Sequence, residues 1–179
     1  MKKILLLIIG LIILTGCNEL SNTPTKRVED FLRKYQALDN DVLTDLDRVI
    51  ENEINFTNEQ RERYRDIMRK HYQNMSYIVK EEEINGNKAI ITVEITVTDF
   101  NLAMDESSRH LMENPESFNN ELGEYDITLY NNYRLDRLNE AKEKVKYTIH
   151  FVVTKTDGQW AVDSLDNNSL DKINGSYRY

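Results

Sequence analysis

One thiol, three imidazoles and a dense set of carboxylates are the groups in this 179-residue chain that could do chemistry. The thiol is Cys17, and no second cysteine exists to pair with it, so an intrachain disulfide is excluded. The imidazoles are His71, His110 and His150. No two of them have a local metal-binding spacing such as His-x3-His, and no metal is expected. His71 lies on an apolar helical stripe, where a core-edge histidine with one hydrogen-bond partner is expected. His110 falls on a helix flank, expected in solvent, and His150 on the wetter face of a strand between Thr148 and Val152. Among the acids, Glu81-Glu82-Glu83 reads as a solvated strand end. Asp39, Asp41, Asp45 and Asp47 read as helix caps and helix surface, lacking the glycine and closing glutamate of a calcium loop. The chain has no G-x-S-x-G, P-loop or G-x-G-x-x-G. No catalytic residue and no cofactor is therefore assigned, and the expectation leans away from an enzyme. Ten tyrosines remain, of which Tyr64, Tyr72, Tyr130, Tyr133 and Tyr147 either line a pocket or fill the margin of the core.

The surroundings of Cys17 explain a lone thiol. Met1-Lys2-Lys3 is a short positive start, and Ile4 to Leu14 is almost wholly Ile and Leu. A membrane-spanning helix needs about 20 such residues, and this run has about half that. A positive start, a short apolar run and small residues after it describe a secretory signal. Leu14-Thr15-Gly16-Cys17 resembles the lipobox of bacterial lipoproteins, with Thr15 where Ala or Ser is usual. That resemblance implies diacylglycerol on the Cys17 thiol and cleavage before Cys17, and it leaves acylation of the new amino group open. It implies a signal peptide over 1–16, a lipid anchor and spacer over 17–23, and a protein tethered by fatty chains such as palmitate on the extracytoplasmic side of the cell membrane. Each buried CH₂ contributes about 0.8 kcal/mol, so one chain anchors marginally and two or three anchor firmly. An exported body without a disulfide must be held by its core.

The body, 24–179, is expected to form one α+β domain. Its formal charge starts from −8 for the whole chain. Losing Lys2 and Lys3 with the leader takes it to about −10, which repels nucleic acid. Thr23-Pro24 opens a helix, and Val28, Phe31, Leu32 and Tyr35 fall on one stripe. Asp39 or Asn40 caps a second, with Val42, Leu46, Val49 and Ile50 inward. Thr57-Asn58-Glu59-Gln60 is a capping box for a third, with Tyr64, Ile67, Met68, His71, Tyr72 and Met75 aligned. The period then falls to two. Tyr77 to Ile84 is a strand, Asn85-Gly86 a type I′ turn, and Ala89, Ile91, Val93, Ile95 and Val97 the dry face of the next strand. Asp99 caps a fourth helix that Pro115 stops, and 126–143 is a fifth with Ile127, Tyr130, Leu138 and Ala141 inward. Val145 to Val153 alternates again, Asp157-Gly158 turns, and 160–165 is a last strand. Asn167 or Asn168 caps a closing turn that ends at Gly175. Strands joined by tight turns are antiparallel. The expected fold is thus N-terminal helices packed on a curved, mainly antiparallel four-stranded sheet, with a helical insert between the two hairpins.

This order, with Thr23-Pro24-Thr25 at the first helix and Asp157-Gly158-Gln159-Trp160-Ala161-Val162-Asp163-Ser164 near the end, resembles the cystatin-like superfamily that includes nuclear transport factor two. More narrowly it resembles small uncharacterised bacterial lipoproteins of that shape. The resemblance implies a cone between sheet and helices, and a sheet face that often carries a dimer contact. Ile90, Thr92, Glu94, Thr96, Thr148, His150 and Val152 share that wetter face, so a homodimer is an expectation. The leading functional expectation is a non-enzymatic, membrane-anchored binding module for a small ligand, a peptide or an envelope protein. The rivals are an enzyme using the cone and a structural envelope component.

Overall fold

Side chains at the helix starts fix most of the segments that the sequence predicts. The structure, a computed structural model, describes residues 22–178. The leader 1–16, Cys17 and the spacer up to residue 21 lie outside the described residues. Helix α1 spans Pro24–Ala37, and Thr23 Oγ1 accepts the Lys26 amide at 3.2 Å. Asp39 caps α2 (Asn40–Glu51), and the Thr57–Gln60 capping box starts α3 (Asn58–Gln73). Gln60 does more than cap: it is buried, and its Nε2 donates to Thr128 O at 3.0 Å and Asn132 Oδ1 at 2.9 Å. Asp99 caps α4 (Phe100–Glu113), and Pro115 opens a 3-10 turn, Pro115–Phe118. Asp126 caps α5 (Ile127–Glu140), which is shorter than 126–143. The closing helix α6 (Asn167–Ile173) is capped by Asp166, whose carboxylate takes the Ser169 amide, and not by Asn167 or Asn168.

The strands are β1 (Ser76–Asn85), β2 (Lys88–Thr98), β3 (Lys144–Thr156) and β4 (Gln159–Val162), which stops short of Leu165. They form an open antiparallel sheet in the order β1-β2-β3-β4, with α4, the 3-10 turn and α5 between the two hairpins. The fold is α+β, as expected. The hairpins turn differently. Asp157 and Gly158 both have positive φ (50° and 79°), the type I′ pattern that joins Thr156 to Gln159. The first hairpin turns on Gly86-Asn87, not Asn85-Gly86. There only Gly86 has positive φ (60°), the type II′ pattern, in which glycine takes the first central position.

Two compact units divide the described residues. The first comprises residues up to Arg33 with Val79–Val93 and His150–Ser164; the second comprises Lys34–Ile78, Glu94–Ile149 and from Leu165 onward. In the first, Val28, Leu32, Ala89, Ile91, Val93, Phe151, Val153 and Trp160 are buried, and Phe31 meets Phe151 edge-on at 5.8 Å. Asn22 belongs to this folded unit: its Nδ2 donates to Gly158 O at 2.8 Å, and its Oδ1 accepts from Trp160 N at 3.2 Å. In the second unit Leu46, Ile50, Ile67, Met68, Ile95, Val97, Leu135, Leu138, Ile149 and Ile173 form the core. Two expected inward residues point out. Val49 is 52% exposed, at the rim of the arc that Leu46 and Ile50 centre. Ile127 lies in the first turn of α5, before the buried stripe of Asn131, Leu135 and Leu138 begins. Asn131 fills a core position because its Nδ2 donates to Asn55 O at 3.0 Å.

Candidate functional site

Helix α6 is the organising element of the candidate site, which lies within the second unit. Asn167, Leu170, Asp171 and Asn174 fall at i, i+3, i+4 and i+7, one face of a helix only seven residues long with its C-cap. That face borders two adjoining clefts. One, of about 330 Å³, has Tyr64, Phe100, Met104 and Leu138 as its apolar walls. The other, of about 300 Å³, is walled by Tyr35, Val42, Leu46 and Tyr72. Val49, Leu170 and Asn174 line both, so the two form one groove with a shared ridge. Each cleft is at the small end of the range of ligand pockets, roughly 300–1,000 Å³.

The polar tips in this groove have defined states. Tyr72 donates to Asn174 Oδ1 at 2.9 Å, and the Tyr35 and Tyr72 rings meet edge-on at 5.2 Å. Burial pushes the Tyr35 hydroxyl up to about 12 and holds those of Tyr64 and Tyr72 well above their ordinary value. All three are protonated at neutral pH and present O–H groups, not phenolates. Tyr64 is set by an edge-on contact to Phe56 at 5.8 Å, and Phe56 in turn carries the Arg134 guanidinium 5.1 Å from its ring centre. The groove thus offers flat apolar area with a few hydroxyl and amide groups, and Asp45, Arg48 and Asp171 bring charge to its lining.

His71 stands beside it, in a cleft of about 150 Å³ with Lys70, Asn74, Thr98 and Asn139. It is 3% exposed and stacks on Phe100 at 4.7 Å. Its Nε2–H donates to Ile173 O at 2.8 Å, while Nδ1 has no partner among the described residues. Burial pushes its pKa down to about 4, the Ile173 bond opposes this, and the Lys144 charge adds to it. A base so weak is poorly matched to proton abstraction near neutral pH. This is the hydrogen-bonded core-edge histidine that its stripe predicts.

The other residues singled out by sequence are scattered. His110 is half-buried, not solvated: it stacks on Tyr133 at 4.7 Å and accepts from Asn114 Nδ2 at 3.2 Å. Tyr130 and Tyr133 pack edge-on against Phe118 at 5.4 and 5.5 Å, filling core margin. Tyr147 is buried and meets Tyr177 at 5.7 Å. Of the five tyrosines named above, only Tyr64 and Tyr72 reach the groove. His150 is exposed, with Nδ1 3.1 Å from Thr92 Oγ1. Asp39 caps, and Asp41, Asp45 and Asp47 pair with Lys34, Arg48 and Arg65. Among the described residues no group of three or more His, Cys, Asp or Glu is placed to hold a metal ion. None of their helices is long and apolar enough to cross a membrane. Cys17, the lipid-attachment residue, lies outside the described residues.

Val49, Met104, Leu170 and Asn174 carry no site signal in the sequence by residue type. The signal for the last two was the 167–170–171–174 spacing, hidden because three of the four residues are polar. Comparison with protein-family models, with curated proteins and with solved structures finds no match to this chain.

Proposed function

We propose that this chain is a bacterial lipoprotein with a cystatin-like domain, held at the outer face of the cytoplasmic membrane by lipid on Cys17. It acts there as a non-enzymatic binding module. Its ligand is a small, largely apolar molecule with a hydrogen-bonding end, seated along α6. The observation that carries the reading is the groove: Tyr35, Tyr64, Tyr72, Met104 and Leu170 around an exposed Val49, with Asn174 fixed at its centre. Tyrosine gives such a site apolar area and a polar tip from one side chain. The adjacent histidine keeps its proton on a backbone carbonyl, which favours binding over acid–base chemistry.

A photoreactive apolar probe, 3-trifluoromethyl-3-phenyldiazirine, tests the groove in the full chain. Carbene adducts mapped by mass spectrometry are expected on the peptides carrying Val49, Met104 and Leu170. Adducts spread equally over the exposed Ile84, Ile90 and Val152 would defeat the groove as a site. The anchor is tested separately. Cys17→Ser should abolish acylation and leave the leader uncut, and normal processing and membrane attachment of that variant would refute the lipoprotein reading.

A further inference from the structure

We infer that the hydrogen-bonding end of the ligand is a protonated amine held at Asp171, and that the groove selects small apolar primary amines over neutral or acidic molecules of the same shape. The inference rests on the groove proposed above and names the class of ligand it takes. Charge along the groove points this way. Among the described residues, Asp171 is the one side chain charged at neutral pH that lines the cleft of about 330 Å³. In the adjoining cleft Asp45 and Arg48 pair with each other at 2.9 Å and cancel. Asp171 has no such partner among the described residues. Burial against the cleft is the only cause that moves its pKa, which it raises from the ordinary aspartate value. The cation next in sequence, Lys172, is engaged elsewhere: its Nζ donates to Thr148 O at 2.9 Å and lies 4.9 Å from the Tyr177 ring centre. The groove thus carries one uncompensated negative charge, on a chain whose net charge of −8 concentrates cations around it.

The acceptors at this end of the cleft suit an ammonium group, which has three donors and no acceptor. The Asp171 carboxylate supplies the charge. Asn174 Oδ1, on the same face of α6, takes the Tyr72 hydroxyl at 2.9 Å with one lone pair and has a second to offer. The hydrocarbon of the ligand then lies against Leu170, Val49, Met104 and Leu138. A neutral molecule of the same shape covers part of the carboxylate and gives it no charge in return, which costs free energy. An anion fares worse: it meets Asp171 as a like charge, and the only cation in the groove, Arg48, is already paired with Asp45. Asp171 stands at the exposed rim, so the discrimination is that of a solvated ion pair, severalfold and weakened by salt.

The test uses the full chain at pH 7. It reads displacement of 3-trifluoromethyl-3-phenyldiazirine from the Met104 and Leu170 peptides by hexylamine, 1-hexanol and hexanoate, competitors of one chain length and of positive, zero and negative charge. Hexylamine, like a lysine side chain, is protonated at this pH. It should displace the probe at a concentration about threefold lower than 1-hexanol, with hexanoate the weakest. Asp171→Asn should bring hexylamine to the level of 1-hexanol and leave 1-hexanol unchanged. Asp171→Lys should reverse the order, so that hexanoate leads. Position 171 is exposed and in the last turn of α6, where a cation is favoured, so both variants should keep the fold. If 1-hexanol or hexanoate displaces the probe as well as hexylamine, or if the order is unchanged in Asp171→Asn, the amine assignment is overturned and the groove still stands. If none of the three displaces the probe, the groove itself is overturned, and the assignment with it.

Discussion

The two sides of α6 follow opposite rules. On the inner side the structure leaves little to chance. Ile173 O accepts a hydrogen bond from His71 Nε2–H, Asn174 Oδ1 accepts one from the Tyr72 hydroxyl, and Gly175 O accepts one from the Phe100 amide at 3.0 Å. On the groove side Leu170 is half-buried and Val49 across from it is half-exposed, and what lies between them is space. A helix of seven residues is far too short to persist alone. Its position is therefore set by the gripped side, and the groove exists only as long as that grip holds. Substitutions on the gripped side should act on stability, and substitutions on the open side should act on binding.

Gly175 is where the grip is tightest. Its φ is +69°, and a Cβ there would overlap Thr98 O and come within 2.8 Å of His71 Cε1. Gly175→Ala combines left-handed backbone strain with overpacking against backbone that cannot move aside, together about 3–5 kcal/mol. The expected readout is a melting temperature lowered by about 10 °C. A loss under 2 °C would show that α6 sits loosely and that the two sides are not so different.

Protonation loosens the same side from within. The folded pKa of His71 is pushed down to about 4 from the ordinary 6.5, so between these values the unfolded chain binds the proton and the folded chain does not. The stabilising effect of the neutral ring is complete above pH 6.5 and is lost progressively as pH falls toward 4, below which both states are protonated. The loss is on the order of 3 kcal/mol. Urea unfolding at pH 7 and pH 4.5 should show it. In His71→Gln, where the side-chain amide can still donate toward Ile173 O, this contribution to the pH dependence should vanish. An unchanged pH profile in that variant would assign the effect to other groups.

Tyr72→Phe removes one bond from the grip and one wall group from the groove. Loss of the hydrogen bond to Asn174 should cost about 1 kcal/mol, because the orphaned Asn174 amide is half-buried and can turn to water. Diazirine labelling of the Leu170 peptide should persist, since the ring stays. Loss of labelling with intact stability would mean that the hydroxyl, not the apolar area, shapes the site.

Much of this molecule was legible in its residues, for identifiable reasons. Caps and the two-residue period are local, so Asp39, Thr57, Asp99 and the alternation through Val97 and Phe151 located helices and strands directly. Burial of polar residues is not local. Gln60 and Asn131 occupy core positions because their amides meet carbonyls and amides distant in sequence, and a binary reading assigns such positions to apolar residues. The first turn lies one residue beyond its expected place, because Asn-Gly suits a type I′ turn while Gly86-Asn87 serves a type II′ turn equally well. The groove was half visible. Tyr64 and Tyr72 lie two turns apart on one helix, and their role follows from that spacing. The sequence places Val49 with the core because Val42 lies seven residues earlier, nearly the same direction on α2, and only the packing of neighbouring helices decides where the buried arc ends.

Val49 also gives the sharpest separation of the two sides. It lies in the last turn of α2, where a cation is favoured by the carbonyl ends, and its side chain is already 52% in solvent. Val49→Lys should therefore change stability by no more than about 0.5 kcal/mol. It nevertheless puts an ammonium on the ridge shared by both clefts, and an apolar ligand seated there must either desolvate that charge or leave. Diazirine labelling of the Met104 and Leu170 peptides should fall several-fold with the melting temperature unmoved. If labelling is unaffected, nothing apolar rests on the ridge, and the open side of α6 is surface and not a site. If stability falls with it, Val49 belongs to the grip, and the division between the two sides must be drawn one residue further out on α2.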